Sequence, residues 1–557
     1  MCVLDKAGKK KKRKKSVSDN RASIKNITAS RSYAVSKSKS DDSAANGKSA
    51  ALTVLVIIAG ILLSKISGLA RDVLFARSFG AGIESDAYLS ASRIPNLFFD
   101  FTLGAVVLSV FIPVFTEYMK KYGLEKSYDF ANIFLNMIVV ISLSTVVVLG
   151  FNSSLVIEIF APGLETGAKQ LAARLLVIML PVMTVTAVAY IFIGVLQSMD
   201  EFKIPAIVSF VSNLALIVYI CFFNKYYGIY GMAVSFVTSW LLQMLILLPP
   251  LLKKGYRYSF KLDFSHKGLR NSLKASLPVL VSAWGQPAAV ALGMRYATFF
   301  GTGSVSALDY AYRLYLIISG VISLGLTNYI FPKLSKLHID SDEKKFVATV
   351  VQSLRVILMI ILPIVVGVSF FSRQIIEVVY TGGEFDSYAV SATAAGLFYY
   401  SFGMLGSSFC EVLNKAFYAK KDGKTPMIVT VLSIFFTFVL TLFFTKICPI
   451  GIGGIALSNS IVVTVSAVIL VVFFCNSCVN IMDLRFGVFL MKIFLVNAIM
   501  LAFLRIFYGM LGGIGSLPGV LVSAAAFLLL YIPLLWLFGF EEIRLIFKDI
   551  KKKRVKC

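Results

Sequence analysis

The sequence is short of the residues that soluble proteins depend on. Only 15% of its 557 residues are charged, against about a quarter in a soluble domain, which excludes a water-soluble enzyme and a disordered chain. Histidine is limited to His266 and His338. No His-rich metal site can be built from two, and no metal site is expected. Both lie in basic loops, which argues against a membrane glycosyltransferase or acyltransferase using an intramembrane His. The seven cysteines form no close-spaced framework, so no disulfide scaffold is expected. Cys475 and Cys478 have CxxC spacing but no second pair. There is no Walker A loop, HExxH or GxSxG sequence, so an ATP-driven reaction would need a partner chain. Acidic residues are scarce too: 29 against 55 Lys and Arg, a formal net charge of +26.

What is present is apolar. Hydrophobic residues make up 58% of the chain and the mean hydropathy is +0.82, so the natural unit is the membrane span of about 20 residues. Breaks at polar, Gly and Pro clusters divide the chain into fourteen candidates: 50–76, 86–117, 129–160, 169–197, 204–223, 228–252, 272–299, 306–332, 345–371, 389–418, 425–446, 450–475, 485–508 and 515–539. All must be helices, because backbone polar groups in lipid have to pair within their own segment. Alternate short loops carry nineteen Lys and Arg and the opposite loops five. The excess falls on the same side as two basic ends. Residues 1–49 hold fourteen Lys/Arg against four Asp/Glu, and 544–557 hold seven against one. An even span number with both termini cytoplasmic follows from the positive-inside bias. The tail at 1–49 cannot bury enough apolar surface to fold alone; it is expected to be a disordered cytoplasmic segment, not a signal peptide, attracted to anionic lipids. Nothing beyond charge suggests nucleic acid.

A weak repeat runs at an offset near 221. Phe79-Gly80-Ala81-Gly82 is answered by Phe300-Gly301-Thr302-Gly303, Gly163 by Gly383, and the helix break before Pro205 by one before Pro426. The offset covers six spans, so the copies share topology and are related by an axis along the membrane normal. The expected architecture is an all-α integral membrane protein. It has a first lobe at 50–254, a second at 268–475, two further helices at 484–540 and a basic tail at 541–557. Gly80, Gly82, Gly301 and Gly303 mark candidate gate turns.

Charges stand where lipid is expected: Lys65, Arg71, Asp72, Arg77, Asp86 and Arg93 in the first two spans, Arg295 in the seventh, and Asp309 and Arg313 in the eighth. Each costs at least a few kcal/mol at bilayer depth, so they should face a hydrated interior. Basic residues outnumber acidic ones, and the guanidinium fork suits phosphate. Lys65, Arg71, Arg93, Arg295 and Arg313 are the candidate anion ligands. Asp72, Asp86 and Asp309 are read as supporting acids that orient the basic groups, with Lys65–Asp72 and Asp309–Arg313 as candidate ion pairs. Each pair could equally be a packing lock.

The segment SKISGLARDVLFARSFGAGIESDAYLSASRIPNLF resembles the first two helices of the MurJ/MviN family of lipid II flippases, within the multidrug/oligosaccharidyl-lipid/polysaccharide exporter superfamily. LDYAYRLYLIISGVISLGL, YTGGEFD and NKAFYAKKDGKTP fit in order, and the resemblance covers about 51–475. It implies a non-enzymatic bacterial inner-membrane transporter that moves an undecaprenyl-pyrophosphate disaccharide-pentapeptide by alternating access. A membrane potential or a coupling ion, Na+ or H+, would drive it, and the helices at 484–540 would form a groove for the lipid tail. The family's basic positions fall on Lys65, Arg71, Arg93 and Arg313, its acidic one on Asp86. Departures occur at Phe99, Tyr312 and Leu316, and the eleventh span lacks the Asn and Asp of a sodium site. The resemblance leaves open a flippase for teichoic acid or capsule precursors; a cation-coupled drug exporter would prefer an acidic cavity. A monomer acting beside peptidoglycan synthesis proteins is expected.

Overall fold

Backbone groups that leave water must pair within their own segment, and the described residues are helical almost throughout. The computed structural model describes residues 59–98, 111–263, 284–448, 450–477, 484–511, 516–540 and 542. The basic tails (Glu542 apart), Phe99, His266 and Cys478 lie outside the described residues.

Residues 64–79 are helical (α1). There follow α2 (Ile83–Phe98), α3 (Ile112–Tyr122), α4 (Leu124–Phe151), α5 (Ser153–Phe160), α6 (Thr166–Met179), α7 (Val182–Ser198), α8 (Lys203–Val218) and α9 (Asn224–Lys253). The second half runs α10 (Gly285–Ala297), α11 (Ser304–Ile339), α12 (Glu343–Phe370), α13 (Ser372–Tyr380), α14 (Ser387–Ser401), α15 (Gly403–Ala419), α16 (Lys424–Leu442) and α17 (Ile452–Ser477). The C-terminal pair is α18 (Leu484–Met510) and α19 (Ser516–Leu537). Among the described residues the only β pairing is an isolated bridge between Gly382 and Phe385.

Several elements recur 221 positions on: α2 with α11, α7 with α15, and α8 with α16 begin at matching positions. Asp200 and Lys421, also 221 apart, are non-glycine residues with φ of 59° and 61°. Each follows a helix end and precedes a Pro-containing helix start, the same turn used twice.

Nine described helical stretches are long and apolar enough to cross a membrane. Lys203–Lys253 holds two of the expected spans, divided by a π-helical turn at Tyr219–Phe223 and a kink at Gly228. Of the other candidates, those at 50–76, 86–117 and 272–299 run into residues outside the description. The stretch at 389–418 is broken at Phe402 into α14 and α15 of 15 and 17 residues. Large apolar side chains point outward over these helices, among them Val148, Phe151, Leu528 and Leu529. In water so much exposed apolar surface would drive association; in lipid it is the ordinary contact surface.

One large core joins the two halves of the chain through Phe75, Tyr88, Tyr310, Tyr380 and Phe385. A second, rich in phenylalanine, fills the space between α3, α4, α7 and α9. A third packs α18 and α19 against α12.

Candidate functional site

The site is built where α1, α2 and α8 of the first half meet α11 of the second. Asp72 on α1 is buried, and its Oδ1 accepts from Arg71 Nη2 at 2.7 Å and from Arg313 Nη1 at 3.0 Å. Arg313 also donates to Asp309, one helical turn earlier on α11. Arg71 donates its Nη1 to Asn213 Oδ1 on α8 at 2.9 Å. Asn213 in turn donates to the Ser64 carbonyl and to Ser67 Oγ. The result is a continuous chain, Asn213–Arg71–Asp72–Arg313–Asp309, crossing from one half of the protein to the other. Its two guanidiniums are balanced by two carboxylates. The arginine side chains keep 24% and 31% exposure while Asp309 keeps 4%, so the cations, not the acids, are open to a ligand.

The remaining candidate cations are arranged differently. Lys65 is exposed, and Asp72's named partners are Arg71 and Arg313. Seven residues along a helix span about 10 Å, too far for the pair expected between Lys65 and Asp72. Arg93 is half-buried on α2 near Tyr400, and its Nε is buried with no hydrogen-bond partner among the described residues. Arg295 does not lie midway along its helix. It sits in the last turn of α10 and donates to the Ile159 carbonyl at the end of α5. Exposed Arg77, at the end of α1, donates to the Val379 carbonyl at 3.4 Å.

Asp86 does not orient an arginine. Its carboxylate accepts from the Gly303 and Ser306 backbone N–H groups at 2.7 and 2.8 Å and from the Ser306 hydroxyl at 2.7 Å. The first turn of any helix has N–H groups without intrahelical partners, and a residue on α2 here caps α11. Tyr310 donates to the Gly80 carbonyl and Glu384 N–H to the Arg77 carbonyl. Gly163 N–H donates to Thr298 Oγ1, and Thr302 donates to Glu165. These contacts knit the two halves at the end where the glycine turns lie. Of the four candidate gate glycines, Gly80 and Gly303 are close-approach positions. Both have positive φ, and an added Cβ would lie 2.3 Å from the Glu384 carbonyl oxygen and 2.4 Å from the Ala81 one. Gly82 and Gly301 have open space around theirs.

At the opposite, lysine-rich end, Asp342 caps α12 and Asp422 precedes α16. The hydrogen bond from Lys345 holds the Asp342 carboxyl below its usual range. Partial burial pushes Asp422 up, but hydrogen bonds from Thr425 and Lys424 outweigh it and leave that carboxyl lowered.

Asn213, Ser306 and Tyr310 were not singled out from sequence. Asn213 did carry a signal, a lone carboxamide in an otherwise apolar helix; Ser306 and Tyr310 carried none. Among the described residues no group of three His, Cys, Asp or Glu is placed to hold a metal ion.

Residues 75–523 match the family described as lipid II flippase MurJ. The lipid II flippase MurJ of Burkholderia cenocepacia is 27% identical over 414 residues, 72% of this chain and 80% of that one. The probable lipid II flippase MurJ of Buchnera aphidicola subsp. Schizaphis graminum is 29% identical, over 72% of this chain and 78% of its own. A solved structure titled lipid II flippase MurJ, inward closed conformation, has a TM-score of 0.75 at 27% identity, covering 87% of this chain and 98% of that one. An inward-facing multidrug resistance MATE family transporter of the MOP superfamily has a TM-score of 0.66 at 15% identity, covering 75% and 96%, a likeness of fold alone. With most of its length matched, this multi-pass membrane chain belongs to the lipid II flippase MurJ family.

Proposed function

We infer that this protein is a lipid II flippase, carrying the undecaprenyl-pyrophosphate headgroup of the peptidoglycan precursor across the inner membrane. The observation that carries the reading, beyond family membership, is the pair of half-open arginines, one from each half of the chain, sharing the Asp72 carboxylate. In this structure Asp72 stands where an anionic ligand's oxygen would stand. A diphosphate competes for both guanidinium forks, with half-buried Arg93 adding positive charge. Releasing Arg313 from Asp72 cuts a tie between the halves, so binding favours their rearrangement.

The working architecture is fourteen spans with both termini cytoplasmic and two six-helix lobes flanking the site, α18 and α19 supplying a surface for the polyprenyl tail. The contacts at the glycine turns then close the outer side. Release outward requires Asp86 to leave the start of α11. Moving an anionic headgroup outward across a membrane with an inside-negative potential is downhill by about 2.3 kcal/mol per charge per 100 mV, a driving force that needs no bound coupling ion.

The test is outer-leaflet lipid II in cells depleted of the native flippase. Expression of this chain restores it, and Arg71→Ala or Arg313→Ala removes the rescue at equal membrane abundance. Undiminished rescue by both variants refutes the assignment.

A further inference from the structure

At the lysine-rich end, the chain leaves α9 and does not continue as a helix. Residues 256–263 run as an irregular strap laid along α4. Two asparagines one turn apart hold it. Asn132 donates to the Arg257 carbonyl at 2.9 Å and to Ser259 Oγ at 3.1 Å. Asn136 donates to the Ser259 and Lys261 carbonyls, each at 3.1 Å. Tyr256 and Tyr258 return hydrogen bonds to the same two side chains. Fastened this way, the strap leaves Tyr258, Phe260 and Leu262 exposed at 60%, 70% and 43%, with the Tyr258 hydroxyl anchored on Asn136 and the carbonyls of Arg257, Ser259 and Lys261 facing α4. An apolar row held open at the level where α4 turns from polar to apolar suits the headgroup boundary, where aromatic rings concentrate.

Beside the strap lies a cavity of about 320 Å³ lined by Leu135, Val139, Val188, Phe192, Leu248 and Leu252, with Asn136, Tyr256 and Tyr258 as its polar margin. Its volume is in the range of small-ligand sites. None of the lining residues belongs to α1, α2 or α11, which carry the arginine cluster. The chain at its margin is basic. Lys253 follows the lining residue Leu252, and Arg257 sits between the lining tyrosines; both are exposed. Lys254 Nζ is turned to the Met199 carbonyl at 3.4 Å, and Lys261 is paired with Asp129. Among the described residues at this margin, the cations free to face a headgroup are therefore Lys253 and Arg257, each favouring an anionic lipid surface.

We propose that this cavity holds one acyl chain of an anionic phospholipid, whose phosphate is bound by Lys253 and Arg257. The strap is the wall that keeps the chain in place. The site fastens the first half of the protein to the leaflet on its lysine-rich side, independently of the arginine cluster.

The test uses the full chain in phosphatidylcholine nanodiscs doped with phosphatidylglycerol bearing a photoreactive acyl chain, with crosslinked peptides mapped by mass spectrometry. Crosslinks fall on α4, α7 and α9 around Val139, Val188 and Leu248. The double variant Lys253→Gln/Arg257→Gln, which leaves packing intact, lowers them roughly tenfold. Val188→Trp, which fills the cavity, removes them. A phosphatidylcholine probe that labels the parent equally, or labelling unchanged in the double variant, overturns the proposal. Loss of labelling on adding stoichiometric undecaprenyl phosphate overturns it too, and gives the cavity to a polyprenyl tail.

Discussion

Asp72 offers one carboxylate oxygen to two guanidiniums, and that sharing sets what the site can do. Burying the Asp72 carboxylate costs desolvation that offsets much of the pair's Coulomb gain, so under the proposed function a diphosphate, with more oxygens and more charge, competes with it for the arginines. Asp72→Asn leaves Arg71 and Arg313 close together with less compensation. We expect this variant to bind a pyrophosphate lipid more tightly, with steeper salt dependence, and to turn over more slowly because the headgroup is released late. Titration of a fluorescent lipid II analogue, set beside an outer-leaflet transport assay, measures both; weaker binding by the variant contradicts the competition argument. Lys65 and Arg295 look equivalent to these arginines as letters in a sequence. They differ because one is turned outward and the other reaches a carbonyl at the glycine-turn end.

At the scale of elements, the cap of α11 by Asp86 matters most. Hydrogen bonds to a charged group are worth about 1.5–3 kcal/mol each, and this carboxylate accepts three while almost fully buried. Asp86→Ala leaves the first turn of α11 without its partner and weakens the closed end. We expect lower thermal stability in detergent and faster labelling of a cysteine placed at Ala81 by a membrane-impermeant maleimide; unchanged labelling means the glycine-turn contacts do not limit opening. Asp422 does the equivalent work for α16 within its own loop. Its lowered carboxyl contributes stability that is fully present above the ordinary carboxylate value of about 3.9 and lost as pH falls through the lowered one. The melting-temperature difference between the parent and Asp422→Asn should stay constant from about pH 5 to pH 8. It should shrink at more acidic pH, where the parent's own carboxyl protonates.

Across the whole molecule, the named contacts between the two halves run from the arginine cluster to the glycine turns, through Asp72–Arg313, Asp86–Ser306, Tyr310–Gly80 and Glu384–Arg77. The cluster and the closed end share α1, α2 and α11, so a ligand that separates Arg313 from Asp72 acts on the same helices that hold the turns shut. That linkage needs only rigid helices and short glycine turns. The approach of Gly303 to the Ala81 carbonyl, closer than any Cβ allows, shows how tightly the turns are set.

Composition alone determined that this chain is helical and membrane-bound, because apolar runs of span length have no other way to satisfy their backbone in lipid. Polar breaks marked several helix ends, though not the one at Phe402 within 389–418, and the 221-residue echo of Gly80 in Gly301 was visible as letters before it was visible as positive φ at both. Local pairs were also within reach: Asp309 and Arg313 are one turn apart and do meet. Partners distant in the chain were not. Asp86 finds Gly303 from 217 residues away, and Arg71 finds Asn213 from 142. Spacing along one helix says which face a charge occupies; only packing says which helix that face meets. That is why one buried acid became the shared centre of an arginine cluster and another the cap of a helix in the opposite half.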